Sequence, residues 1–233
     1  MPPLTILLAS SPTLTLSLLS SLSYTILLPS RPSPSRTATK TLSTILLALT
    51  IYLNPSSPAL LTAGLALSSL GDFFLALSDT SPPAEPKPKS DDDDDPFFLL
   101  GLSSFLTAHL LYTRLFLLQP GATPLPTLLT TSPAAWTLTA LITTMLLVLI
   151  PRAGGELRVP VAVYAAAIYV MGLSALALPE GKEGVVAGAM MFTASDAVLA
   201  VEKFVVGPGR RRWMGYVVWG LYYGGQVLIA VGF

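Results

Sequence analysis

Eight apolar runs, with cores near residues 14–29, 37–53, 58–78, 97–118, 133–150, 160–178, 183–205 and 213–232, set the solvent in which this chain can fold. Apolar runs of about 17 to 25 residues match the hydrocarbon thickness of a bilayer when helical, and a helix satisfies its own backbone donors and acceptors there. Pro, Gly or charged residues punctuate the runs. Over 233 residues, 52% are hydrophobic and 11% charged, and the mean hydropathy is +0.67, well above an ordinary soluble domain. The expectation is an all-α, polytopic membrane helical bundle of about eight transmembrane helices, forming a single transmembrane domain over 1–233.

The formal net charge is zero, yet the charges are segregated. The odd-numbered connections and their flanks hold Arg31, Arg36 and Lys40, then Lys87 and Lys89, then Arg152 and Arg158, then Lys203, Arg210, Arg211 and Arg212. The even-numbered connections hold only Lys182, and Arg114 falls late in the fourth run. Under the positive-inside rule this bias places both termini on the non-cytosolic side. If the first run did not span, only the amino terminus would change sides. Met1-Pro2-Pro3-Leu4 has no basic n-region, so a retained first span is expected rather than a cleaved signal peptide. Most acids concentrate in 79–96, where Pro82, Pro83, Pro86 and Pro88 precede the run Asp91 to Asp95. Such a composition cannot bury apolar area and predicts a disordered, acidic cytosolic linker. A calcium loop would need EF-hand spacing and its glycine, which are missing. Cysteine is absent, which excludes disulfides, thiolate metal ligands and a cysteine nucleophile. Nucleic acid is not an expected partner.

Two acids lie inside the apolar runs in a shared frame, Gly71-Asp72-Phe73-Phe74-Leu75-Ala76 in the third and Ser195-Asp196-Ala197-Val198-Leu199-Ala200 in the seventh. A carboxylate in hydrocarbon costs about 2.5 to 3.5 kcal/mol even on the lenient translocon-insertion scale, so an intramembrane acid is a functional candidate. At about 1.5 Å per residue both reach a similar depth, toward the cytosolic side, in helices four apart as in a weak parallel repeat. One site built from both is the expectation; helix-to-helix glue, with each carboxyl neutral or hydrogen-bonded, is the plainer alternative. Two neighbouring carboxyls in low dielectric resist ionising together, so one keeps a proton beside a charged partner. That division suits acid-catalysed hydrolysis.

In the fourth run Phe105, His109 and Tyr112 share one helical face, as Tyr164, Ile168 and Met171 do in the sixth. His109, the only histidine, needs a polar partner or a wet cavity, although a packing role would also satisfy it. Tyr222, Tyr223 and Gln226 put hydroxyl and amide groups into the eighth run. Aromatics there commonly pack or anchor at interfaces, whereas a buried amide demands hydrogen bonds. Glu202 and Lys203 reach the interface by snorkelling, and Lys40 can do the same or meet a lipid phosphate. No Gly-x-Ser-x-Gly elbow is present. One histidine with two acids is a poor zinc set without paired histidines, so neither metal nor cofactor is expected.

The residues and their order resemble the YhhN-type lysoplasmalogenase family of eight-span membrane proteins. The resemblance runs from about Lys40 to Gly232, through Ser69 to Ala76, Gly101 to Tyr112, Tyr164 to Met171, Gly188-Ala189-Met190-Met191-Phe192-Thr193-Ala194-Ser195-Asp196, and Tyr222-Tyr223-x-x-Gln226-x-Leu228-Ile229. Lys40-Thr41 stands where the family usually has Lys-Pro, and Glu202-Lys203 where it often has Asn; the acidic linker resembles an insertion. The resemblance implies hydrolysis of the vinyl ether of a lysoplasmalogen to a fatty aldehyde and glycerophosphoethanolamine or glycerophosphocholine. Enol ethers hydrolyse by protonation at carbon, which suits a carboxylic acid beside a carboxylate. The expected catalytic pair is Asp72 and Asp196, with Lys40, His109, Tyr112, Tyr164, Tyr223 and Gln226 binding a lysophospholipid substrate in an internal membrane such as the endoplasmic reticulum. A proton-coupled transporter and a non-catalytic lipid-binding protein are the rival readings, and the oligomeric state is open.

Overall fold

Four helices begin where a capping side chain meets proline. The computed structural model describes residues 11–80, 95–207 and 211–233. In it Ser11-Pro12 opens α1 (Pro12–Leu27), Ser33-Pro34 opens α2 (Pro34–Tyr52) and Ser132-Pro133 opens α6 (Pro133–Leu149), each serine hydroxyl accepting from a first-turn N–H. Asp95 Oδ1 accepts from Phe97 N at 2.9 Å, at the start of α4 (Pro96–Leu117). Proline at the first helical position costs no hydrogen bond, and the cap fills one the helix cannot. The remaining helices are α3 (Ala59–Thr80), the short α5 (Leu125–Thr131), α7 (Arg158–Leu176), α8 (Glu183–Val201) and α9 (Arg212–Gly232). A π-turn, Glu202–Val206, extends α8 until Gly207, whose φ of 93° a side chain would strain, ends it. Among the described residues every regular element is helical.

The protein is therefore all-helical and multi-pass, and each of the eight apolar runs folds as a helix. By length and composition alone, five or six spans qualify among the described residues, so the count of eight is not confirmed. Five helices are long and apolar enough, Ala59–Ser78, Pro96–Leu117, Arg158–Leu176, Glu183–Val206 and Trp213–Gly232, and α5 with α6, bent by 92° at their junction, would make a sixth. Helices α1 and α6 run only 16 and 17 residues, and α2 carries Arg36, Lys40 and many hydroxyls. Residues 81–94, most of the acidic segment 79–96, lie outside the described residues.

Contacts divide the chain into two units. The first comprises Met1–Pro55 and Thr62–Ala108. In it α1 and α2 are joined by hydroxyls: Ser17 Oγ donates to Ser43 O, Ser20 Oγ to Thr39 O at 3.0 Å, and Thr50 Oγ1 to Thr13 Oγ1 at 2.8 Å. One partner number falls as the other rises, so the pair is antiparallel. Interhelical bonds of this kind, rather than apolar burial, hold helices together where lipid is as apolar as leucine. Glycines then let α3 meet α4: a Cβ on Gly71 would stand 2.6 Å from the Phe105 ring, and one on Gly101 2.8 Å from a Leu75 methyl.

The second unit comprises Ser56–Leu61 and His109–Phe233. Leu128, Ala135, Leu138, Ile142, Ile168, Leu173 and Ala177 form a buried apolar cluster from α5, α6 and α7 with the residue that follows it. Helices α8 and α9 come together at Gly188 and Gly225, where a Cβ on either would lie 2.7 or 2.6 Å from the other's carbonyl oxygen. Ser195 Oγ donates to Val218 O at 3.0 Å further along. Since backbone cannot yield as a side chain can, Gly188→Ala is expected to destabilise the protein by about 1–3 kcal/mol. Thermal unfolding in detergent checks this, with Gly154→Ala as control, because nothing lies within 4 Å of a Cβ there.

Candidate functional site

Each intramembrane aspartate anchors a polar cluster within its own unit. In the first, Lys40 and Thr44 stand one turn apart on α2 and therefore on one face. Thr44 Oγ1 donates to Asp72 Oδ2 at 2.9 Å, and Lys40 Nζ lies 3.4 Å from Oδ1. Asp72 is buried, while the Lys40 side chain keeps 17% of its surface exposed. One turn back on α3, Ser69 Oγ donates to Thr41 O at 3.0 Å. An ammonium has donors only, so Asp72 faces it as an acceptor, with both oxygens engaged.

The Asp196 cluster is built differently. On α8, Asp196 Oδ2 accepts from Tyr164 OH of α7 at 3.2 Å and lies 3.1 Å from His109 Nε2 of α4. The histidine contact has ion-pair length but is out of line for a hydrogen bond. His109 is wholly buried. Its ring rests 4.6 Å from the Phe192 ring and 5.4 Å, edge-on, from Tyr164. Phe192 and Asp196 are i and i+4 on α8, so one helical face presents both to the imidazole. Among the described residues no Lys or Arg side chain forms an ion pair with Asp196.

Behind them, Tyr112 OH donates to Gln226 Oε1 at 2.7 Å, both side chains being fully buried. Phe192 also meets Tyr112 and Tyr222 edge-on, at 6.3 and 5.4 Å, and Tyr223 stacks on Trp219 at 5.5 Å. The structure thus brings Lys40 to Asp72, His109 and Tyr164 to Asp196, and Tyr112 to Gln226, and places Tyr223 in an aromatic stack. Sequence reasoning gave no role to Thr44, although its position one turn after Lys40 was a signal, or to Phe192, whose three ring contacts have no signature in the sequence. Thr193, three residues before Asp196, has a buried hydroxyl with no hydrogen-bond partner among the described residues. Among those residues no group of three or more His, Cys, Asp or Glu side chains converges as metal ligands would.

These features define a multi-pass helical membrane protein with one buried, partnered aspartate in each of its two helical units. The chain belongs to the YhhN family, whose model matches residues 35–233 and so includes every candidate residue above. No curated protein and no solved structure matches it.

Removing one member of the Lys40–Asp72 pair leaves the other buried without its counter-charge. Lys40→Met is expected to cost on the order of 3 kcal/mol, and the double variant Lys40→Met/Asp72→Asn to recover part of it. Thermal unfolding of Lys40→Met, Asp72→Asn and the double variant measures the coupling, and single losses that simply sum to the loss of the double would show that the pair is not coupled.

Proposed function

We propose that the protein is a lysoplasmalogenase-like ether hydrolase, cleaving the vinyl ether of alkenyl lysoglycerophospholipids to a fatty aldehyde and glycerophosphoethanolamine or glycerophosphocholine. The supporting observation is Asp196 Oδ2 flanked by a phenol at 3.2 Å and an imidazole at 3.1 Å in a buried setting. Membership of the YhhN family is consistent with the reading.

The chemistry asks for an acid, a base and a stabiliser of positive charge. Protonated Asp196 gives its proton to the vinyl carbon that becomes C2 of the aldehyde, and the electron pair of the double bond forms the new C–H bond. The resulting oxocarbenium ion is stabilised by the carboxylate left behind. Water adds at the cationic carbon while His109 accepts its proton. Collapse of the hemiacetal breaks its bond to the glycerol oxygen; the hydroxyl proton leaves as the carbonyl forms, the glycerol oxygen takes up a proton, and the proton on His109 returns to Asp196. The net change is consumption of one water, with no redox partner. Tyr164 fixes the carboxyl, and Tyr112 with Gln226 supports the wall on which His109 and Phe192 stand. Asp72, the other expected catalytic acid, is held by Lys40 and Thr44, and its contribution is tested independently.

In purified protein, Asp196→Asn is expected to lower aldehyde release from an alkenyl lysophospholipid by about 10² or more, within the 10² to 10⁴ typical of general acid-base catalysis. Asp72→Asn is tested in the same assay, with alkyl-ether and acyl lysolipids as controls. Wild-type turnover in folded Asp196→Asn would remove the mechanism. Substrate flux across a vesicle without bond cleavage would point to a proton-coupled transporter, and tight lipid retention without either to a non-catalytic binder.

For location we propose an internal membrane such as the endoplasmic reticulum; the clustering of Lys and Arg in alternate connections supports only the orientation, both termini on the non-cytosolic side. A glycosylation acceptor fused after Phe233 is expected to be modified in microsomes; an unmodified tag on an inserted protein would reverse the orientation.

A further inference from the structure

Hydroxyls inside these helices follow a rule from which Thr193 departs. A serine or threonine within a helix commonly turns its hydroxyl back to the carbonyl one turn earlier. Thr50 does so with Leu46 O, Ser68 with Gly64 O and Thr113 with His109 O, each at 2.9 Å. Thr193 is 3% exposed, and its hydroxyl meets no hydrogen-bond partner among the described residues. A buried polar group in that state is costly to keep and marks strain, catalysis or a bound water.

Its place on α8 favours the water. Ala189, Thr193 and Asp196 recur at spacings of four and three residues and form one buried stripe, so Thr193 stands on the face that carries Asp196. Cβ atoms three residues apart on a helix lie about 5–6 Å from each other, a span that one water bonded to both side chains bridges. His109 Nε2, 3.1 Å from Asp196 Oδ2, adjoins the same carboxyl. A water inside a protein takes about two to four polar partners, and the hydroxyl, the carboxyl and the imidazole supply them.

The chemistry of an alkenyl lysolipid gives such a water a task. The lipid carries a free hydroxyl on the glycerol carbon next to the one that bears the vinyl ether. Once Asp196 has protonated the vinyl carbon, that hydroxyl competes with water for the oxocarbenium carbon. Its oxygen forms the new C–O bond, its proton passes to His109 and on to Asp196, and a five-membered cyclic acetal results. No water is consumed, no bond to glycerol breaks, and the product is an isomer of the substrate. Well-oriented intramolecular attack reaches effective molarities of about 10⁵ M and above. Water arriving by diffusion loses that contest, so hydrolysis needs a water already in place.

We propose that Thr193 holds this water, its hydroxyl oxygen accepting one water O–H while His109 takes the other proton as the water adds to the cation. The proposal rests on the hydrolase reading and adds what decides its product: Thr193 is a positioning residue that selects cleavage over cyclisation.

Thr193→Val keeps the shape and removes a hydroxyl that has no partner in the fold, so the variant is expected to fold as the parent does; Thr193→Ala is its smaller companion. The products of an alkenyl lysophospholipid are separated by chromatography and weighed by mass spectrometry, free aldehyde against cyclic acetal. Wild-type protein is expected to give aldehyde, Thr193→Val to shift the ratio about tenfold toward the acetal, and Thr193→Ser to restore it. The ratio is set after protonation, so it responds to Thr193 whichever step limits turnover, whereas a general loss of structure lowers both products together. A second readout needs no turnover. Radiolytic hydroxyl-radical labelling of full-length protein in nanodiscs is expected to mark Phe192, which is wholly buried and is reached by radicals born on an internal water, and Thr193→Val to lose the mark. An unchanged product ratio in the folded variants, or a Phe192 mark that is missing from the wild type or persists without the hydroxyl, would overturn the proposal. Wild-type protein that makes neither aldehyde nor acetal removes the hydrolase reading instead, and the Phe192 mark then decides by itself whether Thr193 holds a water.

Discussion

A polar group inside an apolar membrane helix must find a partner on another helix, and this requirement organises the molecule. The desolvation cost of an unpaired buried charge or hydroxyl exceeds what most apolar contacts return where lipid competes for every methyl group. Hydroxyls consequently join α1 to α2, Thr44 and Lys40 tie α2 to Asp72 on α3, and Tyr164 with His109 ties α7 and α4 to Asp196 on α8. Backbone approach follows the same need. Gly188 and Gly225 remove the side chains that would keep α8 and α9 apart, so Ser195 reaches Val218 O.

The two aspartates show how surroundings divide one residue type between roles. Asp72 is faced by a lysine amine and a hydroxyl, both donors, and is thereby placed as an acceptor within its unit. Asp196 is faced by a phenol that donates to it and by an imidazole, beside an aromatic wall of Phe192, Tyr112 and Tyr222. Environment rather than identity separates acid from base among carboxyls that share a chemistry. The proposed protonation of an enol ether draws on the second environment.

Much of this was legible in the chain. The eight apolar runs fall on helices to within a few residues, because length and hydropathy act locally. The count of bilayer-spanning helices was less legible. It depends on whether a Ser- and Thr-rich helix spends its hydroxyls on its neighbour, as α1 and α2 do, and on a 92° bend between α5 and α6. Asp72, His109 and Asp196 stood out because ionisable groups are costly where they sit. Their expected convergence on one site was a reading of matching frames and similar depth; the structure describes each within its own unit, with its own partners.

What the sequence determined by itself was therefore the solvent, the helices, their proline and serine starts, and the polar residues that had to be accounted for. Those follow from short-range rules: capping, helix propensity and the cost of charge in hydrocarbon. Only the tertiary structure decided who satisfies whom, that Lys40 and Thr44 hold Asp72, that Tyr164 and His109 share one oxygen of Asp196, and that Phe192 is the ring on which His109 rests. Such pairings join residues from 28 to 114 positions apart, and no local pattern encodes a partner whose approach is set by the packing of whole helices.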